Sequence, residues 1–340
     1  METKGNIYTD CYKIVKESNY FLYLFIGGRQ IGKTYSMLHH SYFGGDKILY
    51  IRRTEVELKN CCNNFFNPYK KINMKEGTNI QVEKTEDSAV IMDHTDEDNL
   101  KIVGYAAALS TFGKFRGADF SDVDTIVFDE FINTSPYGQM NQSEATLLFN
   151  LIETVNSNRE LEGGNAIKVV LLSNANTIDN DIIRCFSLAE VIHQMKKENK
   201  HLYTDDEKGL YLALLENKEV HDLKMKSKLY KLVEGTSFYD MALNNEFVTD
   251  FFGDVKKINY NELKPLCSFN EFFVYEHKSA NILFVCKRKA NCPKYDNQSI
   301  KAFKRSFGFR ILWYMDCGYC FFSDYNTKLA FKQIFKNRKV

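Results

Sequence analysis

A chain of 340 residues, 44% hydrophobic and 26% charged, holds more sequence than one hydrophobic core ordinarily organises, so two globular domains are expected and a fibrous or disordered chain is not. The net charge of +1 argues against a uniformly basic clamp yet hides an asymmetry: residues 1–195 carry 19 Lys/Arg against 26 Asp/Glu, and residues 196–340 carry 26 against 18. The apolar runs are too short to cross a bilayer, and the charged start, "METKGNIYTDCYKIVKESNYF", has no signal core, so neither membrane insertion nor export is expected.

In chain order, "YFLYLFI" (20–26) reads as a buried parallel strand, and "KTYSMLHHSY" (33–42) as the helix that follows a glycine-rich loop. "KILYIRR" (47–53) is a second strand, and "TEVELKNCCNNFF" a helix opening at a Thr cap. "NIQVEKTEDSAVIMD" (79–93) alternates and turns at polar residues, which predicts an inserted hairpin, and "LKIVGYAAAL" a further strand. "VDTIVFDEF" (123–131) is a core strand ending in two carboxylates. "QSEATLLFNLIETV" (142–155) places apolar side chains at 147, 148, 151, 152 and 155, one face of a helix, and "AIKVVLLSNA" (166–175) is a fourth buried strand. Strands alternating with helices predict a parallel α/β sheet over 1–195. Residues 196–235, charged and rich in helix formers, read as a helical linker. From 236 to 340 "EFFVYEHK", "NILFVCKRK", "FRILWYMD" and "GYCFFSD" read as strands and "TKLAFKQIFKNRK" as a closing helix, together a smaller α+β domain.

The loop "GGRQIGKT" (27–34) carries the first chemical signal. Gly27, Gly32, Lys33 and Thr34 fit G-x-x-x-x-G-K-[ST], which a chain this long meets by chance about once in a hundred. Glycines let the backbone of Gly27, Gly28, Arg29, Gln30, Ile31 and Gly32 wrap a polyphosphate with its N–H groups inward, and the helix N-terminus adds positive potential. Lys33 then reaches the β- and γ-phosphates of ATP, and the Thr34 hydroxyl ligates Mg²⁺. The bland alternative is a tight turn. A second signal is "TIVFDE": Asp129 and Glu130 end a core strand, where open α/β sheets bind ligands, and adjacent acids there need a cation. Asp129 suits Mg²⁺ and Glu130 suits polarising water, the pattern of a P-loop ATPase with a catalytic glutamate. At the end of the next strand, Ser173 and Asn174 offer an amide to sense the γ-phosphate; the alternative there is a cap or turn.

Phosphoryl transfer also needs positive charge on the equatorial oxygens. Arg29 lies in the loop, Arg52 and Arg53 end "ILYIRR", Lys114 and Arg116 lie in "FGKFRGADF", and Arg159 follows the 142–155 helix in "NSNRELEGG". Each can equally be a solvated surface charge. Arg159 ranks first as a finger acting on a neighbouring subunit's nucleotide, with Arg116 behind it.

"GGRQIGKT", "ILYIRR…EL", "TIVFDEFI", "LLFNLIETVNSNRE" and "LLSNA", in that order, resemble the genome-packaging (encapsidation) ATPases of small tailed, protein-primed phages, and "SFYDMALNNEF" (237–247) is similar to that family's interdomain junction. The loop's R-Q-x-G-K-T is similar to the large-terminase motors more widely. The resemblance implies a homo-oligomeric ring, typically a pentamer, docked on the portal of an empty prohead in the host bacterial cytoplasm. It further implies that the ring moves double-stranded DNA inward using ATP and Mg²⁺. The basic half permits a packaging-RNA adaptor. Where relatives carry more than one arginine, "NSNRE" keeps Arg159 alone, with Ser157 where another stands. An RNase H-like, nuclease-like C-terminal domain that does not cut is the corresponding expectation: Glu271, Glu276, Asp316 and Asp324 lie near its strands without forming the converging set that two-metal cutting needs.

Other readings stay open on sequence alone. Another P-loop motor, such as a helicase or a terminase with a live nuclease, shares the motifs, and a scaffold that binds nucleotide without hydrolysing it shares the loop. "KRKANCPK", "KAFKRSFGFR" and "KQIFKNRK" suit DNA, RNA or a portal. The nine cysteines read as reduced core thiols. A zinc site from Cys286, Cys292, Cys317 and Cys320 is the alternative, with Cys317 and Cys320 placed in a buried hairpin, "ILWYMDCGYCFF".

Overall fold

The computed structural model describes residues 7–336 except 64, 86–87, 116–118, 133–142, 158, 176, 179, 237–238, 240–242 and 244–253. Contacts divide the chain into two compact units: Met1–Ile182 with Glu198–Thr249, and Ile183–Lys197 with Asp250–Val340.

The first unit is built on a nine-stranded sheet. Six strands are parallel: β1 (Leu22–Gly27), β2 (Ile48–Arg52), β5 (Lys101–Ala108), β6 (Thr125–Asp129), β7 (Lys168–Asn174) and β9 (Leu210–Leu215). The order is β3-β4-β5-β2-β6-β7-β1-β9-β8, with the predicted hairpin β3 (Ile80–Lys84) and β4 (Ala89–Asp93) antiparallel at one edge and β8 (Leu202–Asp205) at the other. Helices on both sides bury the central strands on two faces, which is why β1 and β6 are buried at every position and read as unbroken apolar runs.

Local signals set the helix starts. Asp10 caps α1 (Cys11–Glu17) by accepting from the Lys13 N–H, and Thr54 caps α3 (Glu55–Cys61) by accepting from Glu57. Ser143 caps α4 (Glu144–Asn156), which buries Ala145, Leu148, Leu151 and Val155, close to the predicted face. α2 (Lys33–Gly44) has no side-chain cap; Gly32 precedes it with φ 102, leaving its first N–H groups to the loop.

Residues 196–235 are not a helical linker. β8 and β9 lie there, and β9 pairs in parallel with β1 along its whole length, Leu22 opposite Leu210 through Gly27 opposite Leu215. Burial of Leu210, Leu212, Ala213 and Leu214 against the sheet overrides the helical preference of Leu and Ala. Besides the end of the helix Leu188–Lys197, α5 (Lys218–Met225) and α6 (Lys228–Leu232) are helical as expected.

The second unit has a five-stranded sheet, β13-β10-β11-β12-β14, from β10 (Leu263–Phe269), β11 (Phe272–His277), β12 (Leu283–Cys286), β13 (Lys294–Tyr295) and β14 (Cys320–Phe322). One face packs Phe269, Val274 and Val285 against Phe303, Ile311 and Phe331 from helices. "FRILWYMD", expected as a strand, is a helix, Phe309–Asp316. Its aromatic content favours a strand locally, but Phe303, Phe307, Ile311 and Tyr314 fall on one helical face and Phe309 is left 83% exposed. The buried hairpin around Cys317 is therefore a helix–turn–strand, with Cys317 exposed and Cys320 buried, and all nine cysteines are free. Among the described residues no helix is long and apolar enough to cross a membrane.

Candidate active site

Four neighbouring strands, β2, β6, β7 and β1, present their C-terminal ends along one edge of the sheet, and every principal sequence candidate but the arginine fingers sits there. Gly27 ends β1 opposite Asn174 at the end of β7. The loop then turns through Gln30, φ 61, and Gly32. A Cβ on Gly32 would meet the Tyr8 Cβ at 2.7 Å, because residues 8–9 lie against the loop and the Thr9 N–H donates to the Ile31 oxygen at 2.8 Å. Glycine is required there by both conformation and space.

Lys33 is buried. Its ammonium donates to the main-chain oxygens of Gly27 and Gly28 at 3.0 and 2.7 Å and to Asn174 Oδ1 at 3.3 Å. Burial lowers its pKa to about 8, resisted by Cys11, Asp129 and Glu130. The structure thus brings Asn174 against Lys33. Ser173 does not face it: its buried hydroxyl accepts from the Ile132 N–H at 3.3 Å and fixes the turn after β6.

Across the edge, the Thr34 hydroxyl donates to Asp129 Oδ1 at 3.0 Å. The other carboxylate oxygen accepts from the Tyr50 hydroxyl at 2.9 Å and from Arg52 at 3.4 Å. Asp129 is 8% exposed, and its pKa is raised by burial, with Arg52 the largest opposing influence. Glu130 takes the opposite environment: its side chain is 59% exposed, its backbone is left-handed at φ 57, and it accepts from Arg52 at 2.8 Å. A left-handed glutamate is strained by about 1–2 kcal/mol, and that strain turns its carboxylate away from the sheet interior. The carboxylate and hydroxyl of Asp129 and Thr34 are hard oxygen donors of the kind Mg²⁺ takes, so the pair fits that ion.

Arg52, one of six scattered basic candidates on sequence grounds, is the residue that bridges both acids. The alternation of a strand holds the signal: Tyr50 and Arg52 are two apart on β2, so they share a face, and β2 lies beside β6. Arg53 turns the other way, buried, donating to the Phe131 oxygen at 2.7 Å and to Glu144 at 3.0 Å. Arg159 lies away from this edge, with its guanidinium on the main-chain oxygens of Val123 and Phe120 at 2.7 and 2.6 Å. Arg116 and the side chain of Lys114 lie outside the described residues, as does most of the 237–247 junction segment. In the second unit, Glu271 pairs with Lys287 and Glu276 with Arg310, Asp324 accepts from Ser323 and Thr327, and Asp316 is exposed. Among the described residues no cluster of three or more His, Cys, Asp or Glu is placed to hold a metal, the zinc candidates included.

The family model for the podovirus DNA encapsidation protein, Gp16, matches residues 4–276. The chain belongs to this family. The DNA packaging protein of Bacillus phage B103 is 31% identical to this encapsidation-family chain over 229 residues, 66% of the chain and 64% of that relative, so the match leaves over a third of the relative's length uncovered. Two solved structures share the fold across nearly the whole length. The bacteriophage Phi-29 viral genome packaging motor assembly aligns with TM-score 0.63 and 19% identity, covering 97% of this chain and 99% of that one. The Phi-28 gp11 DNA packaging motor aligns with TM-score 0.62 and 18% identity, covering 96% and 97%. The fold is thus that of packaging-motor proteins, a mostly parallel sheet with a second sheet at the C-terminus.

Proposed function

We propose that this chain is the ATP-hydrolysing motor that drives double-stranded DNA into a preformed prohead. One observation carries the reading: the Thr34 hydroxyl and the Asp129 carboxylate meet at 3.0 Å at the mouth of a loop whose buried lysine is held by its own carbonyls. Gly27–Gly32 would wrap the polyphosphate of ATP, and Lys33 would neutralise its β- and γ-oxygens. Thr34 and Asp129 would hold Mg²⁺, which supplies charge neutralisation of the phosphate oxygens when bound. Glu130 takes the proton of the attacking water. To do so it must first leave Arg52, which frees that arm of the guanidinium for the phosphate while the other stays on Asp129. Asn174, already on Lys33, senses the occupant of the γ-position.

The family's activity also implies a homo-oligomeric ring, read here as a pentamer, docked at the portal in the host bacterial cytoplasm, with a packaging RNA as one route of attachment. Arg159 serves a neighbouring subunit's site in this reading by exchanging the Val123 and Phe120 carbonyls for phosphate oxygens when the ring forms, and Arg116 is its alternative. The C-terminal unit is read as a nuclease-like fold that does not cut.

The test is ATP turnover with and without duplex DNA and assembled proheads, on the wild type and Glu130→Gln. The substitution should retain ATP binding and lower turnover by a factor of about 100 or more. Unchanged turnover in Glu130→Gln would transfer the base to another residue, and absence of ATP binding by the wild type would end the motor reading.

A further inference from the structure

Lys224 on α5 is 9% exposed, although it sits in one of the most highly charged stretches of the chain. Its ammonium donates to the main-chain oxygen of Arg29, at the crest of the phosphate-binding loop. The Tyr230 ring lies with its centroid 5.5 Å from that ammonium. Among the described residues no carboxylate lies within ion-pair distance of it. A buried ammonium without a counter-ion is unfavourable, and a methionine in the same place would fold more easily. Burial, with the charge of Arg29 added, lowers its pKa to about 8. Stability alone does not account for a lysine here.

Its geometry offers an account. The Arg29 oxygen and the Gln30 N–H belong to one planar trans peptide, so they point in opposite directions, and holding the oxygen from one side aims the N–H to the other. The main-chain N–H groups of Arg29, Gln30, Ile31 and Gly32 have no acceptor among the described residues. Left-handed Gln30 and Gly32 bracket Ile31, a local alternation that turns successive N–H groups toward a shared concavity able to take an anion. Three consecutive carbonyls of the loop are thereby held by two lysines: Gly27 and Gly28 by Lys33, and Arg29 by Lys224.

We propose that Lys224 is a positioning residue of the nucleotide site: from α5 it fixes the Arg29 peptide so that the Gln30 N–H is presented to the phosphate. The inference rests on the nucleotide reading of the loop and adds a partner that lies nearly two hundred residues downstream of it.

The experiment titrates fluorescent ATP with Mg²⁺ into the full-length wild type, Lys33→Ala, Lys224→Met and Lys224→Arg, and records melting temperatures without nucleotide. Lys224→Met should melt no lower than the wild type yet bind about tenfold more weakly or worse, the usual worth of a charge-assisted hydrogen bond. Lys224→Arg, which keeps the cation, should bind within about threefold of the wild type. Binding by Lys224→Met within about twofold of the wild type, with Lys33→Ala binding lost, overturns the role of Lys224 and leaves the nucleotide site standing. Binding by Lys33→Ala equal to the wild type overturns the nucleotide reading itself. If Lys224→Met does not fold, Lys224→Gln decides by the same two outcomes.

Discussion

Replacing Arg52 by Met keeps most of the side-chain volume and removes the guanidinium that faces Asp129 at 3.4 Å and Glu130 at 2.8 Å. The two arms are unequal. Glu130 is largely exposed, so water takes over its solvation and that arm contributes at most about 1 kcal/mol. Asp129 is buried, and without the guanidinium it keeps only the hydroxyls of Tyr50 and Thr34. Breaking such a pair typically costs about 3–5 kcal/mol. A ceiling applies, because the carboxyl can take a proton instead, and protonating a group of ordinary pKa at pH 7 costs about 4 kcal/mol. The expected loss is therefore about 2–4 kcal/mol at pH 7. Its pH dependence follows from the direction of the shift. Burial raises the Asp129 pKa, and losing Arg52 raises it further, so the folded variant binds a proton that the unfolded chain lacks over the window above the ordinary carboxylate value. The deficit should shrink as pH falls through that window. Urea denaturation of the wild type, Arg52→Met, Asp129→Asn and the double variant gives the coupling directly. The neutral amide should recover most of the loss. A variant within about 0.5 kcal/mol of the wild type at pH 7, or a coupling energy near zero, would refute the assignment of Arg52 as the counter-ion of Asp129.

Arg159→Ala should lower the stability of the isolated chain by about 2 kcal/mol, since two short charged hydrogen bonds to Val123 and Phe120 go with it. Mixed with excess wild-type subunits it should also depress ATP turnover more than in proportion to its dose, and strictly proportional loss removes the role in a neighbouring site. Lys224→Met should change the pH profile of stability. The Lys224 pKa of about 8 lies below its ordinary 10.5, so between these values the unfolded chain binds a proton the folded chain has released, and wild-type stability rises with pH across that window. The variant lacks this rise, so it should exceed the wild type by up to about 3 kcal/mol at pH 7 and lose most of that advantage by pH 10. Parallel urea midpoints at the two pH values would show that Lys224 is not held in its discharged direction.

What could be read from the sequence was what chemistry confines to neighbours in the chain. The glycine-rich loop is eight contiguous residues, and Asp129 and Glu130 are adjacent, so their residue types and their place after apolar runs were sufficient to mark them as candidates at the strand ends. Thr54 as a cap was legible for the same reason. Contacts made by folding were not. β9 is mostly Leu and Ala, whose local preference is helical, and becomes a strand because β1 has a free parallel edge to cover. The helix Phe309–Asp316 is the mirror case, aromatic and β-like in composition but spaced for a helix that buries Ile311 and Tyr314. Lys224 carries no local mark at all, since its partner is a carbonyl near the other end of the unit. Arg52 lies between these extremes, for its strand alternation with Tyr50 was visible and its acid partners were not.

In the chain alone, four charges of this edge already have partners. Lys33 and Lys224 rest on loop carbonyls, Asp129 on Thr34, Tyr50 and Arg52, and Glu130 on Arg52. In the motor reading, nucleotide and metal would bind by exchange: Lys33 would trade loop carbonyls for phosphate oxygens, and Asp129 and Thr34 would turn from each other to hold Mg²⁺. Exchange of one satisfied arrangement for another yields a smaller net affinity than filling a site of bare charges. That restraint suits a cyclic machine, because binding energy retained by the product would hold the subunit in its spent state. It also places the difference between states in Arg52. A guanidinium shared by a buried acid and an exposed one can give up the exposed partner at little cost, freeing the Glu130 carboxylate for water while Asp129 stays neutralised.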